Sequence, residues 1–444
     1  MRNWLVKSFA IAFGLLLLGA GPALAVPSYA EQTGQPCSAC HVGGFGPQLT
    51  PFGRTFKLEG YTMRSGDDFT TPVSAMAVFS YVHTNADQPP PAPHYAANDN
   101  TTLDQASLFL AGGIGDHFGG FTQWTYDGVG RAFSWDNLDI RAVTHETIVD
   151  SDVLLGVSLN NNPTIGDPWN TLPGWGFPYT DSDLMPGPDA GTIIDGGLAQ
   201  SVLGLNAYAW WDSSIYTEAG VYWTPGHDFL RAMGPDSADV DVIDGAAPYF
   251  RAAYQKDYGD QNFEVGAFAM FPDLYPGGDK SAGTSDRYSD IGLDASYQFV
   301  GDSSDIYQVN ARYTYESQDL RASYILDAAD HPHNHLSDFR MDGSYYWHNM
   351  VGGSVGFFDT TGSSDSELYA GDRTLTPDSD GFLFQLDFTP WGDGSSPLGA
   401  RFNMRAGLQY VVFTRFNGAS GNYDGLGHNA SDNDTLRIFT WFAL

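Results

Sequence analysis

Cysteine is almost missing from this chain, with two residues in 444, Cys37 and Cys40. Two thiols exclude a disulfide framework and a four-cysteine zinc site. Positive charge is scarce too: 20 Lys and Arg stand against 53 Asp and Glu, for a formal net charge of −33. That balance excludes nucleic acid as a natural partner and favours cations. Past Ala25 no stretch approaches the roughly 20 apolar residues of a transmembrane helix. What the chain does have is 29 Phe, 24 Tyr and 11 Trp among 52 Gly. Disorder goes with few aromatics, so the acidity does not mark a disordered chain.

The first residues carry an address. Arg2 and Lys7 flank the start, an apolar stretch runs from Phe9 to Ala20, and Ala23-Leu24-Ala25 has the small-x-small form of a cleavage site. The pattern predicts a secretory signal peptide over residues 1–25, so the mature chain is exported.

Both cysteines fall in Cys37-Ser38-Ala39-Cys40-His41. Two thiols separated by two residues can each form a thioether to one porphyrin, and the histidine that follows can turn back onto the iron. A redox dithiol would sit in a βαβ setting, which the sequence lacks. The expected cofactor is therefore one covalent haem c, held by Cys37 and Cys40 with His41 as the proximal ligand.

The rest of the chain alternates with period two. Tyr307, Val309, Ala311, Tyr313 and Tyr315 share one face, and Gln308, Asn310, Arg312, Thr314 and Glu316 share the other. Phe402, Met404, Ala406, Leu408 and Tyr410 alternate with Asn403, Arg405, Gly407 and Gln409. One apolar and one polar face, repeated along many segments, suits a strand between lipid and a wet lumen. A soluble β-sandwich gives similar alternation, but alternately short and long connections favour the barrel. Strands are expected near 73–85, 103–114, 117–127, 133–146, 151–161, 200–212, 215–225, 247–258, 260–271, 286–299, 305–327, 336–347, 350–359, 379–390, 400–415 and 431–444. Tight turns are expected at Gly115-Asp116, Asp212–Ser214, Tyr258-Gly259 and Gly301–Ser303, and long polar loops at 162–199 and 226–246 among others. The expected class is all-β, an outer-membrane β-barrel of about 16 strands, porin-like, over residues 72–444. An even count puts both barrel ends in the periplasm. Residues 26–71 form a small c-type monohaem segment, too short to bury a core alone, so the barrel mouth is expected to supply its walls.

Pro27-Ser-Tyr-Ala-Glu-Gln-Thr-Gly34 before the haem motif and Leu49-Thr-Pro-Phe-Gly-Arg-Thr-Phe-Lys-Leu-Glu-Gly-Tyr61 after it resemble the fused monohaem cytochrome–porins of the bacterial outer membrane, known best as iron oxidases. Thr389-Pro-Trp-Gly392, Ser396–Arg401 and the stretch from Phe416 to Leu444 are similar to that family as well. Glu31 departs from the basic residue that the family carries there. The resemblance implies haem bound through Cys37, Cys40 and His41. It also implies an electron conduit that takes electrons from extracellular Fe(II) and passes them to a periplasmic carrier. The alternatives are a conduit for a different extracellular donor, and a diffusion porin with a structural haem.

Around the motif, Met63 is a candidate distal ligand; the alternative is an ordinary apolar residue on the approach to the first strand. Arg54 and Lys57 are candidate propionate contacts, or else helix-capping or lipid-facing cations. His331, His333 and His335, beside Asp327 and Asp330, form the most metal-like cluster, a candidate loop site for iron against the plainer reading of three loop histidines. No nucleophile–base pair, phosphate loop or carboxylate dyad points to hydrolysis.

Overall fold

The structure, a computed structural model, describes residues 27–66, 71–235, 240–301 and 305–444. The expected signal peptide over 1–25 lies outside the described residues, as does the end of the turn at Gly301–Ser303.

Sixteen long antiparallel strands run from Val73–Thr84 to Thr435–Ala443 and close on themselves. The first pairs with the last, Met76 opposite Ala443 and Thr84 opposite Thr435. Closure leaves no free edge, so every strand's backbone is paired on both sides.

Burial is inverted relative to a soluble protein. On the strand Ile306–Asp319 the polar face is inside, with Gln308, Asn310, Arg312, Thr314 and Glu316 all buried, while Tyr307, Val309, Tyr313 and Tyr315 are 38% to 48% exposed. Leu293, Ile291, Phe382, Phe384 and Leu386 repeat the outward apolar face on other strands. A sandwich core would bury those residues. A closed ladder with an apolar outer band and a polar interior is an outer-membrane β-barrel.

Two rims follow from the connections. Turns at 115–117, 149–150, 212–214, 259–260 and 348–350 make one rim, and long segments at 85–99, 161–202, 224–246 and 416–434 rise from the other. The short-turn rim is periplasmic by the usual barrel rule. Both ends of the barrel sit there, since the start of the first strand lies against the end of the last. Above the opposite rim, Val242–Ile243 pairs with Asp273–Tyr275 as a small extension of the sheet.

The sequence places these strands closely, with two instructive differences. The expected strand over 305–327 stops at Asp319, and Arg321–Ile325 turns into a short helix. Asp286, on the neighbouring strand, accepts hydrogen bonds from Ala322 N (2.6 Å) and Ser323 N (3.1 Å), and so caps that turn. The last strand likewise starts at Thr435, because Asn429 and Asp432 form a reciprocal cap on the turn Ala430–Asn433.

The lumen is filled. The connection 161–202, expected as an outer loop, folds inward and buries Ile165, Trp169 and Leu172. The N-terminal segment enters from the periplasmic side as three helices, α1 (Pro27–Thr33), α2 (Cys37–Cys40) and α3 (Pro51–Leu58).

Candidate functional site

The segment has too little chain for a core of its own, and barrel side chains hold it in place. Arg405 donates to the carbonyls of Val42 (3.4 Å), Gly43 (3.3 Å) and Phe45. Arg141, paired with Asp139 at 2.9 Å, donates to Lys57 O at 3.2 Å and to Gly166 O at 3.1 Å, and so ties α3 to the inward loop. Asn349 accepts from Gly43 N, Gln298 donates to Leu49 O, and Tyr208 donates to Leu58 O. Tyr61 donates to Asp139 at 2.6 Å. Most of these backbone groups lie between helices, where no ladder would satisfy them.

The motif sits at the periplasmic rim. Helix α2 is a single turn, so Cys37 and Cys40, three apart, share a face. His41 leaves the helix with extended backbone, its N–H bonded back to Cys37 O at 2.9 Å. Thr50 caps α3, accepting from Gly53 N, and Pro51 opens it at a position where no N–H is needed. Helix α3 crosses α2 closely at Gly53, where a side chain would run into the Cys40 carbonyl oxygen.

These residues open onto a cavity of about 420 Å³. Its walls include Cys37, Cys40 and His41 with Phe56, Phe109, Phe121, Trp175 and Trp441. That is the size and apolar character of a cofactor pocket. Both cysteines are free thiols and only half-buried. Three buried polar groups on the walls have no hydrogen-bond partner in the protein: His41 Nδ1, Tyr29 Oη and Tyr179 Oη. Enclosure, with the Arg405 guanidinium nearby, pushes the His41 pKa down to about 4, which keeps the imidazole neutral and fit to ligate a metal. Burial raises the Cys40 thiol to about 12, so the free thiol is protonated at neutral pH. Paired thiols, a neutral imidazole, an aromatic box and unsatisfied polar groups fit a covalently held haem.

The other candidate residues fare differently. Met63 packs beside Phe56 and Tyr61, and its carbonyl accepts from Gln32 at 2.9 Å, but it does not line the cavity. Met76, on the first barrel strand, does. Lys57 lines the wall, yet its ammonium is taken by Ile165 O at 2.6 Å and Asp167 O at 2.8 Å. Arg54 is 2% exposed, lies outside the cavity walls, and none of its three guanidinium nitrogens has a partner. The three loop histidines do not converge. His331 lies 3.9 Å from Asp330 and from Asp365, His333 lies 3.6 Å from Asp319, and His335 bonds Ser363 and stacks on Tyr315. Among the described residues no group of three or more His, Cys, Asp or Glu is arranged to hold a metal.

A second cavity, of about 200 Å³, lies beyond the inward loop. Pro173, Gly176 and Pro178 line both cavities, so one layer of loop separates them. Its remaining wall is polar, with Asp181, Asp195 and Asp342 beside Arg312 and Arg340. This inward loop is the feature that sequence reasoning missed; Ile165, Trp169 and Leu172 in a supposedly exposed segment were its signal.

The fold defines a porin-like outer-membrane barrel, its lumen occupied by its own N-terminal helices and one inward loop. No family model and no curated protein matches the chain. Solved structures similar to it include the outer-membrane channel DcaP of Acinetobacter baumannii, at 9% identity and a TM-score of 0.49 over 84% of this chain and 96% of that one. The anion-selective porin from Comamonas acidovorans shares 12% identity, with a TM-score of 0.44 over 84% and 99%. OmpT of Vibrio cholerae shares 9%, with a TM-score of 0.44 over 86% and 99%.

Proposed function

We propose that this barrel carries one covalent haem c on Cys37 and Cys40 and works as an electron conduit, from an extracellular reductant, Fe(II) foremost, to a periplasmic carrier. The observation that carries the proposal is the cavity at the periplasmic rim, where both thiols and the neutral His41 imidazole meet the unsatisfied hydroxyls of Tyr29 and Tyr179. A haem bound there would supply one-electron exchange. The chain's part is to hold it, screen it and bring donor and acceptor close to it. The half-buried thiols on the rim leave the periplasmic side within reach of a carrier. On the other side, the second cavity stops one loop layer short of the haem pocket, so a donor there need not cross the lumen. One Fe(II) becomes Fe(III) for each electron delivered, and the ferric product stays outside.

The filled lumen tells against a diffusion porin.

The test uses the purified full-length protein in detergent. Covalent haem measured at one per chain, followed by rapid appearance of reduced c-haem bands on adding anaerobic Fe(II), is the expected result. Reduction by dithionite but not by Fe(II) would transfer the reading to another donor. Absence of covalent haem would end it.

A further inference from the structure

We propose that Met76, not Met63, supplies the second axial ligand to the haem, with Trp441 adjusting its sulfur; the proposal rests on the haem reading above.

The cavity wall offers few groups that could serve beside His41 as a second ligand to a haem iron. It holds one thioether, that of Met76, one amine, that of Lys57, the Asp136 carboxylate, which accepts from Gln123 and Thr125, and the phenols of Tyr29, Tyr179 and Tyr61, the last of which is committed to Asp139. The Lys57 amine is committed to two carbonyls, at 2.6 and 2.8 Å. A phenol ligates iron as phenolate, an anion that the enclosed and largely apolar cavity disfavours at Tyr29 and Tyr179. Their partnerless hydroxyls suit the propionates instead. Met76 remains.

Its place in the fold supports the assignment. Met76 lies near the start of the strand Val73–Thr84, at the rim where the motif sits, paired with Ala443 on the closing strand. The Trp441 Nε1–H points at its sulfur, 3.4 Å away. A thioether sulfur has two lone pairs. With the indole N–H on one, the other is free for iron, and the hydrogen bond withdraws electron density from the sulfur. A weaker donor favours the reduced haem, so the pair would raise the potential beyond what a methionine ligand alone does. The ligand would come from the barrel wall and the thioethers from the plug, so the haem would tie the two together.

Full-length wild type and variants would be purified in detergent, their covalent haem quantified, and their ferric spectra and midpoint potentials recorded. The expected wild type shows the weak long-wavelength sulfur-to-iron charge-transfer band. Met76→Leu keeps its haem, loses that band and falls in potential. Met76→His gives a low-spin bis-imidazole spectrum at lower potential, which requires residue 76 to reach the iron. Trp441→Phe keeps the band with a lowered potential, and Met63→Leu changes neither. A band that survives in Met76→Leu, or vanishes in Met63→Leu, overturns the assignment. A wild type with covalent haem but no sulfur band overturns it too. A wild type without covalent haem overturns the haem reading itself.

Discussion

His41 shows how one residue's environment becomes a measurable property. In the folded chain its pKa falls from 6.5 to about 4, through enclosure first and Arg405 second. Between those values the unfolded chain binds a proton that the folded chain does not. Stability is therefore full above about pH 6.5 and is lost as pH falls toward 4, by about 3 kcal/mol at most. The expectation applies to a haem-free Cys37→Ala/Cys40→Ala chain, whose denaturant midpoint in micelles drops over that range. Adding His41→Leu flattens the drop, and an equally steep profile in that variant would assign the titration to other groups. The motif residues were legible because their spacing is itself the chemistry. Met76 was not, since its place on the same cavity wall as His41 depends on how the first strand meets the plug rather than on distance along the chain.

At the scale of elements, the contact between α2 and α3 sets the geometry of the thiols. Gly53 allows the two helices to meet at the Cys40 carbonyl. Alanine there improves helix propensity by about 1 kcal/mol, but overpacking against backbone costs roughly 1–3 kcal/mol, so the clash wins. Gly53→Ala is expected to lower the yield of covalent haem per chain while the barrel still folds, checked by haem stain against total protein. A yield equal to wild type would mean the helices separate without disturbing the thiols. The strands were read well because alternation between lipid and lumen is a local signal. The turn Arg321–Ile325 was misread as strand because its cap, Asp286, lies 36 residues away.

For the whole molecule the decisive fact is a 16-stranded barrel that is not open. A barrel of this size encloses a water-filled channel unless something occupies it. Here α1–α3 occupy one end and the loop 161–202 the middle, held by buried arginines such as Arg251, which meets Asp294 at 2.9 Å and Asp167 at 3.1 Å. In planar bilayers the intact chain is expected to give no large ohmic steps. Deleting 163–178 and bridging the gap with a Gly/Ser linker should produce them. Large steps from the intact chain would return the open-porin reading to first place.

By itself the sequence determined the barrel, its strands, its two rims and the position of the Cys37–His41 motif, because each is written in short-range pattern: period two for strands, Gly and Asp for turns, two thiols and an imidazole in five residues. Only the tertiary structure decided that Lys57 is spent on backbone carbonyls, that Arg54 lies off the cavity, that His331, His333 and His335 face separate partners, and that a polar loop closes the lumen. The Lys57 contacts span 108 and 110 positions and form across the barrel interior only once the ladder has closed, whereas the histidine contacts form between the outer ends of neighbouring strands and loops.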